Sequence, residues 1–159
     1  MYILMDTREH DTATAQIEKW FRLHDIPYER TKLRVGDYQD IANPFLVIDR
    51  KRSFDELATN CASKDHERFR NELIRAKATG TKIVILVEQN WYMADGCRID
   101  VDCIADLMLW ESKFSTIRGE KIYRVMRSWM AKYDIEIMFC DRRSTARRIV
   151  EILGGGETT

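Results

Sequence analysis

The run Ile83-Val84-Ile85-Leu86-Val87 limits what this chain can fold into more than any other stretch. It is uninterrupted, rich in β-branched residues and flanked by Gly80 and Asn90. An apolar strand without polar alternation is covered on both faces, which calls for a sheet with helices on either side. Three further runs read as strands: Tyr2 to Met5, taken as the first, central strand, Phe45 to Ile48 after the breaker Asn43-Pro44, and Ile135 to Cys140. Tyr28 to Val35 reads as one strand of a twisted hairpin leading into Gly36-Asp37-Tyr38. Helical spacing predicts helices over 12–24, from Ser63 or Asp65 to Ala78 with Thr79-Gly80 as the stop, over 101–110 and over 119–133. Ser53 and Ser144 are candidate caps of a short helix and of the last helix. Residues 89–103 read as a loop, whose Trp91 and Tyr92 either pack onto the core or stack on unpaired bases. The expected fold class is α/β, a mixed central sheet flanked by helices.

With 159 residues and no Pro/Gly/Ser-rich linker, residues 1–153 are expected to form a single domain, followed by a flexible tail over 154–159. Lysine plus arginine and aspartate plus glutamate both number 26, which argues against a generally basic coat for nucleic acid. It leaves open a site where acids gather at one point and bases rim it. The longest apolar runs fall well short of the roughly 20 residues of a membrane span, and the N-terminus lacks signal-peptide features, so the reading is cytosolic with no membrane partner. The four cysteines contain no C-x-x-C pair and the histidines lack ligand spacing, which argues against zinc; Cys140 reads as a buried free thiol.

The chemistry gathers after the second apolar run, at Asp49-Arg50-Lys51. Alternation along a strand puts Asp49 and Lys51 on one face and Arg50 on the other. If the segment between Asp37 and Asp49 turns as a hairpin, the two acids approach, and such a pair is resolved by a shared proton or a bound cation. A lysine in the same cluster favours the cation, with Mg²⁺ or Mn²⁺ as the ion for hard oxygen ligands. Asp6, alone, would be a turn residue or helix cap; beside Asp37 and Asp49 it is a third candidate acid. Asp55 falls in the first turn of the helix expected after Ser53 and is placed as support for Lys51 or Arg50. Lys64, Arg68 and Arg75 form one stripe on the next helix, either solvated surface or a phosphate contact. The same two readings hold for Lys32 and Arg34, and for the arginines at 142, 143, 147 and 148.

These residues carry a resemblance. Gly36-Asp37, Asp49-Arg50-Lys51 and Asp55 resemble the G-D-x(n)-E-R-K-x(3)-D signature of the XPF-type (ERCC4-domain) structure-specific endonucleases, a branch of the PD-(D/E)XK nuclease superfamily. Asp6-Thr7-Arg8-Glu9 is similar to that family's D-x-R-E segment, Glu88 to its acid after a later strand and Arg68 to a helix arginine. Asp49 stands where the family usually has Glu, one methylene shorter. The resemblance implies a restriction-endonuclease-like three-layer fold and a divalent-metal-dependent DNA endonuclease acting on branched or flap DNA. It implies metal at Asp37 and Asp49, with the Arg50 carbonyl as a further ligand and Asp6 as a direct or water-mediated one, and Lys51 orienting or helping to deprotonate the attacking water. Arg8, Glu9, Asp55 and Glu88 would support the site, and Lys64, Arg68 and Arg75 would meet DNA. It also implies a homodimer contact through the C-terminal half. The rival readings are a catalytically silent DNA-binding or dimerisation subunit and a resolvase-type nuclease of the same superfamily.

Overall fold

The computed structural model describes residues 1–62 and 64–156. The alternative helix start at Ser63 and residues 157–159 of the expected tail lie outside the described residues. Strands β1 (Ile3–Asp6), β2 (Tyr28–Thr31), β3 (Tyr38–Asp40), β4 (Asn43–Lys51), β5 (Lys82–Val87) and β8 (Glu136–Phe139) form one sheet in the order β2-β1-β3-β4-β5-β8. β1 runs parallel to β2, and β4, β5 and β8 run parallel to one another; β3 is antiparallel to both neighbours. The sheet is therefore mixed, and β1 lies next to its edge strand rather than at its centre.

The alternation of β5 explains the three layers. Ile83, Ile85 and Val87 enter a core with Val47, Phe54, Phe69, Leu73, Met126 and Trp129. Apart from Val47 of β4, these come from α2 (Phe54–Ala62), α3 (Asp65–Ala78) and α4 (Gly119–Tyr133) on that face. Val84 and Leu86 enter a second core with Ile3, Met5, Ile17, Phe21, Tyr38, Ile48, Ile149 and Ile152, built with α1 (Asp11–Leu23) and α5 (Thr145–Leu153). The uninterrupted apolar run thus serves two cores at once. Each large side chain so buried contributes about 1.5–3 kcal/mol.

Several local expectations are corrected. Only Tyr28–Thr31 is strand, and it pairs in parallel with β1 instead of entering a hairpin. Beyond it the Leu33 N–H is taken by Asp6 Oδ1 at 2.8 Å, so side chains rather than a ladder hold that backbone. The hairpin is β3–β4, turning at Ile41 and Ala42, and Pro44 lies at the exposed beginning of β4, where a missing donor is tolerated. Phe45, expected in a buried strand, is 61% exposed. Residues 89–103 contain a second hairpin, β6 (Trp91–Ala94) and β7 (Cys97–Asp100), turning through Asp95 at φ 50° and Gly96 at φ 75°. The helix expected over 101–110 shrinks to a 3-10 turn, Ile104–Leu107. α4 begins so close to that turn that a Cβ on Gly119 would lie 1.6 Å from the Leu107 carbonyl oxygen. Ser53 does cap α2, its Oγ accepting from the Glu56 N–H. Ser144 does not cap α5; its Oγ donates to the Asp141 carbonyl.

Candidate active site

The site begins with Gly36. Its φ of +74° is a left-handed conformation, and a Cβ there would sit 3.0 Å from both Ile48 O and Val47 Cβ. Glycine therefore lets the chain lie against β4 just before β3. Asp37 then docks on β4 twice: its N–H donates to Ile48 O at 2.7 Å, and its Oδ2 accepts from the Arg50 N–H at 2.8 Å. Along β4, Val47 and Ile48 enter opposite cores, so Asp49 and Lys51 follow Val47 to the α2–α3 face while Arg50 follows Ile48 to the other.

On the α2–α3 face, Lys51 Nζ lies 3.0 Å from Asp49 Oδ1 and 4.7 Å from the centroid of the Phe69 ring. Burial disfavours the Lys51 ammonium, but Asp49, through its charge and a hydrogen bond, and Asp37 outweigh this and raise its pKa. The lysine stays charged. Burial, together with the charges of Asp49 and Glu9, pushes the Asp37 carboxyl well above the usual carboxylate range. Two acids with one ammonium between them therefore lack positive charge, which is the condition a hard cation relieves. Sequence reasoning missed two residues of α3. Phe69 floors the lysine, and Glu72 Oε1 accepts the Gly36 N–H at 3.1 Å. Their spacing of three residues puts both on one side of the helix, which was the available signal.

Asp6 is buried beside this cluster, its N–H donating to Asp37 O. Its carboxylate is already occupied: Oδ1 accepts from Leu33 N–H, and Oδ2 from the Arg8 N–H and Nε. Burial alone would raise its pKa; the Arg8 and Leu33 hydrogen bonds hold it below the usual range. Both Asp6 oxygens are thus engaged by protein donors, so direct contact with an ion would require displacing one of them, whereas a contact through water would not. Among the described residues no group of three or more His, Cys, Asp or Glu side chains could hold a metal ion. The donors that remain, two carboxylates and the Arg50 carbonyl, have the hard oxygen chemistry suited to Mg²⁺ or Mn²⁺.

The Arg50 side chain belongs to a different cluster on the α1–α5 face. It bonds Glu9 Oε2 through Nε at 2.8 Å and Nη2 at 2.7 Å, and Glu88 Oε1 through Nη1 at 3.1 Å. Tyr38 OH donates to the same Glu9 oxygen at 3.2 Å. Arg8, Glu9 and Glu88 make contacts of two kinds: Arg8 fixes Asp6, while the two glutamates clamp the Arg50 side chain on the face opposite Asp49 and Lys51. Asp55 meets neither Lys51 nor Arg50; its Oδ1 accepts from Ser112 Oγ at 2.5 Å. Lys64, Arg68 and Arg75 are all exposed, with Arg68 paired to Asp65 at 3.3 Å.

With this geometry in place, the comparisons are specific. A family model described as ERCC4 domain matches residues 5–152. The structure of XPF from Aeropyrum pernix is 17% identical, with a TM-score of 0.64, and the match covers 96% of this chain and 63% of that one. XPF from Aeropyrum pernix in complex with DNA gives 16% identity, the same TM-score and the same coverage. At such identity the likeness speaks for the fold, and this chain spans less than two thirds of that protein's length. Comparison with curated proteins gives no match. Since the family match takes in β1, the Gly36-Asp37 turn, the Asp49-Arg50-Lys51 strand and α5, the chain belongs to the ERCC4 domain family.

Proposed function

We propose that this domain is a divalent-metal-dependent DNA endonuclease that hydrolyses phosphodiester bonds in branched or flap DNA. The observation that carries the reading is the gathering of Asp37, Asp49 and Lys51 at one end of β4, with the Asp37 carboxyl pushed up by burial and by the charges of Asp49 and Glu9. Asp37, Asp49 and the Arg50 carbonyl would hold Mg²⁺ or Mn²⁺, which supplies Lewis acidity to the scissile phosphate and the attacking water. Asp6 acts by fixing the Arg8 and Leu33 backbone beside Asp37.

Lys51 serves as a donor. In the metal-free protein Asp49 and Asp37 outweigh burial and raise its pKa, which supports an ammonium that orients the water and stabilises the charge growing on the phosphoryl oxygens. Asp49 and the Phe69 ring hold it in place from two sides. Water attacks phosphorus in line and the P–O3′ bond breaks, leaving a 5′-phosphate and a 3′-hydroxyl. Arg75, with Lys64 and Arg68 on the same helix, would neutralise flanking phosphates. The C-terminal half would supply a homodimer contact, which sedimentation at several concentrations tests.

The deciding experiment is cleavage of labelled linear, single-stranded, flap and four-way-junction DNA with Mg²⁺, Mn²⁺ or EDTA, using wild type, Asp49→Ala and Lys51→Met. Metal-dependent cutting that both variants lose is the expected result. Binding without cutting in either metal would replace the enzyme by a silent subunit, and preferential cutting of the four-way junction would replace the flap enzyme by a resolvase.

A further inference from the structure

A groove of about 580 Å³ opens between the β3–β4 hairpin and the C-terminal end of α3, lined among others by Arg34, Gln39, Pro44, Phe45, Val47 and Arg75. Its floor belongs to the catalytic strands. Gln39 pairs with Val47, and Phe45, Val47, Asp49 and Lys51 alternate onto one face of β4. Val47 is two residues from Asp49, roughly 7 Å along the strand at 3.3–3.4 Å per residue, so the floor of the groove lies next to the proposed cleavage point on the same strand.

Its chemistry is one-sided. No carboxylate lines it, and among the described residues neither the Arg34 nor the Arg75 guanidinium is in an ion pair. Phe45 lines the same groove, an aromatic ring left 61% exposed on a strand whose later residues are buried. Unpaired cations meet phosphates, and an open aromatic face in the same groove takes a flat apolar partner, the combination that binds unpaired nucleotides.

We infer that this groove is a subsite for an unpaired nucleic-acid strand continuous with the strand being cut, one base stacking on Phe45 while Arg34 and Arg75 neutralise adjacent phosphates. The inference rests on the nuclease reading for its direction and adds to it the place on this chain where the single-stranded arm would lie, beside the scissile phosphate. A paired duplex keeps its bases stacked on one another and gains nothing from Phe45.

The test is fluorescence anisotropy in EDTA with a labelled oligothymidylate, a blunt duplex and a flap duplex, using wild type, Phe45→Ala, Phe45→Tyr and Arg34→Ala/Arg75→Ala. Phe45→Ala is expected to weaken oligothymidylate and flap binding about tenfold, the scale of one lost aromatic stack, and to leave the blunt duplex unchanged. Phe45→Tyr restores binding. The double arginine variant lowers the salt slope on oligothymidylate by about 1.4, the value for two phosphate contacts on a single strand. Equal weakening of flap and blunt duplex, no effect of Phe45→Ala, or no oligothymidylate binding by wild type overturns the subsite. Because binding is read without metal, a wild type that cuts normally while Phe45→Ala binds normally removes only the groove. A wild type that never cuts but binds oligothymidylate through Phe45 removes only the nuclease.

Discussion

Replacing Arg50 by methionine should unfold the domain far more readily than replacing Asp37 or Asp49. The Arg50, Glu88 and Glu9 side chains are 3%, 3% and 14% exposed, and three short hydrogen bonds join them. Methionine fills most of the volume and leaves two enclosed carboxylates facing each other. Breaking such a buried group by removing one partner costs about 3–5 kcal/mol. Arg142 cannot compensate, since it lies 3.9 Å from Glu88 on a 68% exposed side chain and is worth at most about 1 kcal/mol there. The assay is urea unfolding followed by tryptophan fluorescence. With a slope of about 2 kcal/mol/M, the midpoint should fall by about 2 M. The triple change Arg50→Met, Glu9→Gln, Glu88→Gln removes the stranded charges and should recover more than half of the loss. A single variant that loses less than about 1 kcal/mol, or a triple variant no better than the single, would refute the view that the Arg50 side chain is a structural clamp.

Asp37→Asn is expected to stabilise the metal-free protein. Because folding raises the Asp37 pKa, its contribution is fully present below the ordinary carboxylate range and is lost as pH rises through the raised value, so at pH 7 the wild type bears the strain that Asn removes. Thermal unfolding in EDTA should rank the variant above wild type. Magnesium at tenfold its Kd should add about 1.4 kcal/mol to wild type alone. Gly36→Ala, strained at φ +74° and pressed on Ile48 O, should lose at least about 1–2 kcal/mol in the same urea assay, and DNA cutting should fall with the displaced Asp37. Exposed Cys97 and Cys103 should react with an aromatic disulfide within the mixing time. Burial pushes Cys61 up to about 12 and also raises Cys140, so these two thiols should wait for denaturant.

Legibility in the sequence followed the strength of local periodicity. The β5 run and α4 announce themselves because one repeats apolar residues without break and the other repeats Ile122, Met126 and Trp129 at helical spacing. The split of Asp49 and Lys51 from Arg50 follows from strand alternation alone, and the structure has it. The β6–β7 hairpin was hidden by irregular composition, although Asp95-Gly96, a pair suited to positive φ at both turn positions, was its signal. The 101–110 segment carries helix-like spacing, yet Met108 and Leu109 are exposed, because the residues buried in the core are Val101, Leu107 and Trp110. For Asp6 the missing information was tertiary: nothing near it in sequence says that Leu33, distant along the chain, takes one of its oxygens.

The same three residues carry two opposite demands, and the sheet separates them. Asp49 and Lys51 sit together, nearly enclosed, in a cluster where burial and neighbouring charge raise the Asp37 pKa. Charge held in tension there would distort a soft scaffold. Arg50, between them in sequence, ties the other face of β4 to β5 through Glu88 and to the turn after β1 through Glu9. Its backbone N–H also pins Asp37. One residue therefore clamps the strand from behind and positions an acid in front, which explains why an arginine with a fixed fork of donors, rather than a lysine, stands at the centre of the motif. On this reasoning Arg50→Lys should retain the acids and the metal preference but loosen β4, lowering stability and cutting together, whereas Lys51→Arg should leave stability nearly intact while it reduces cutting.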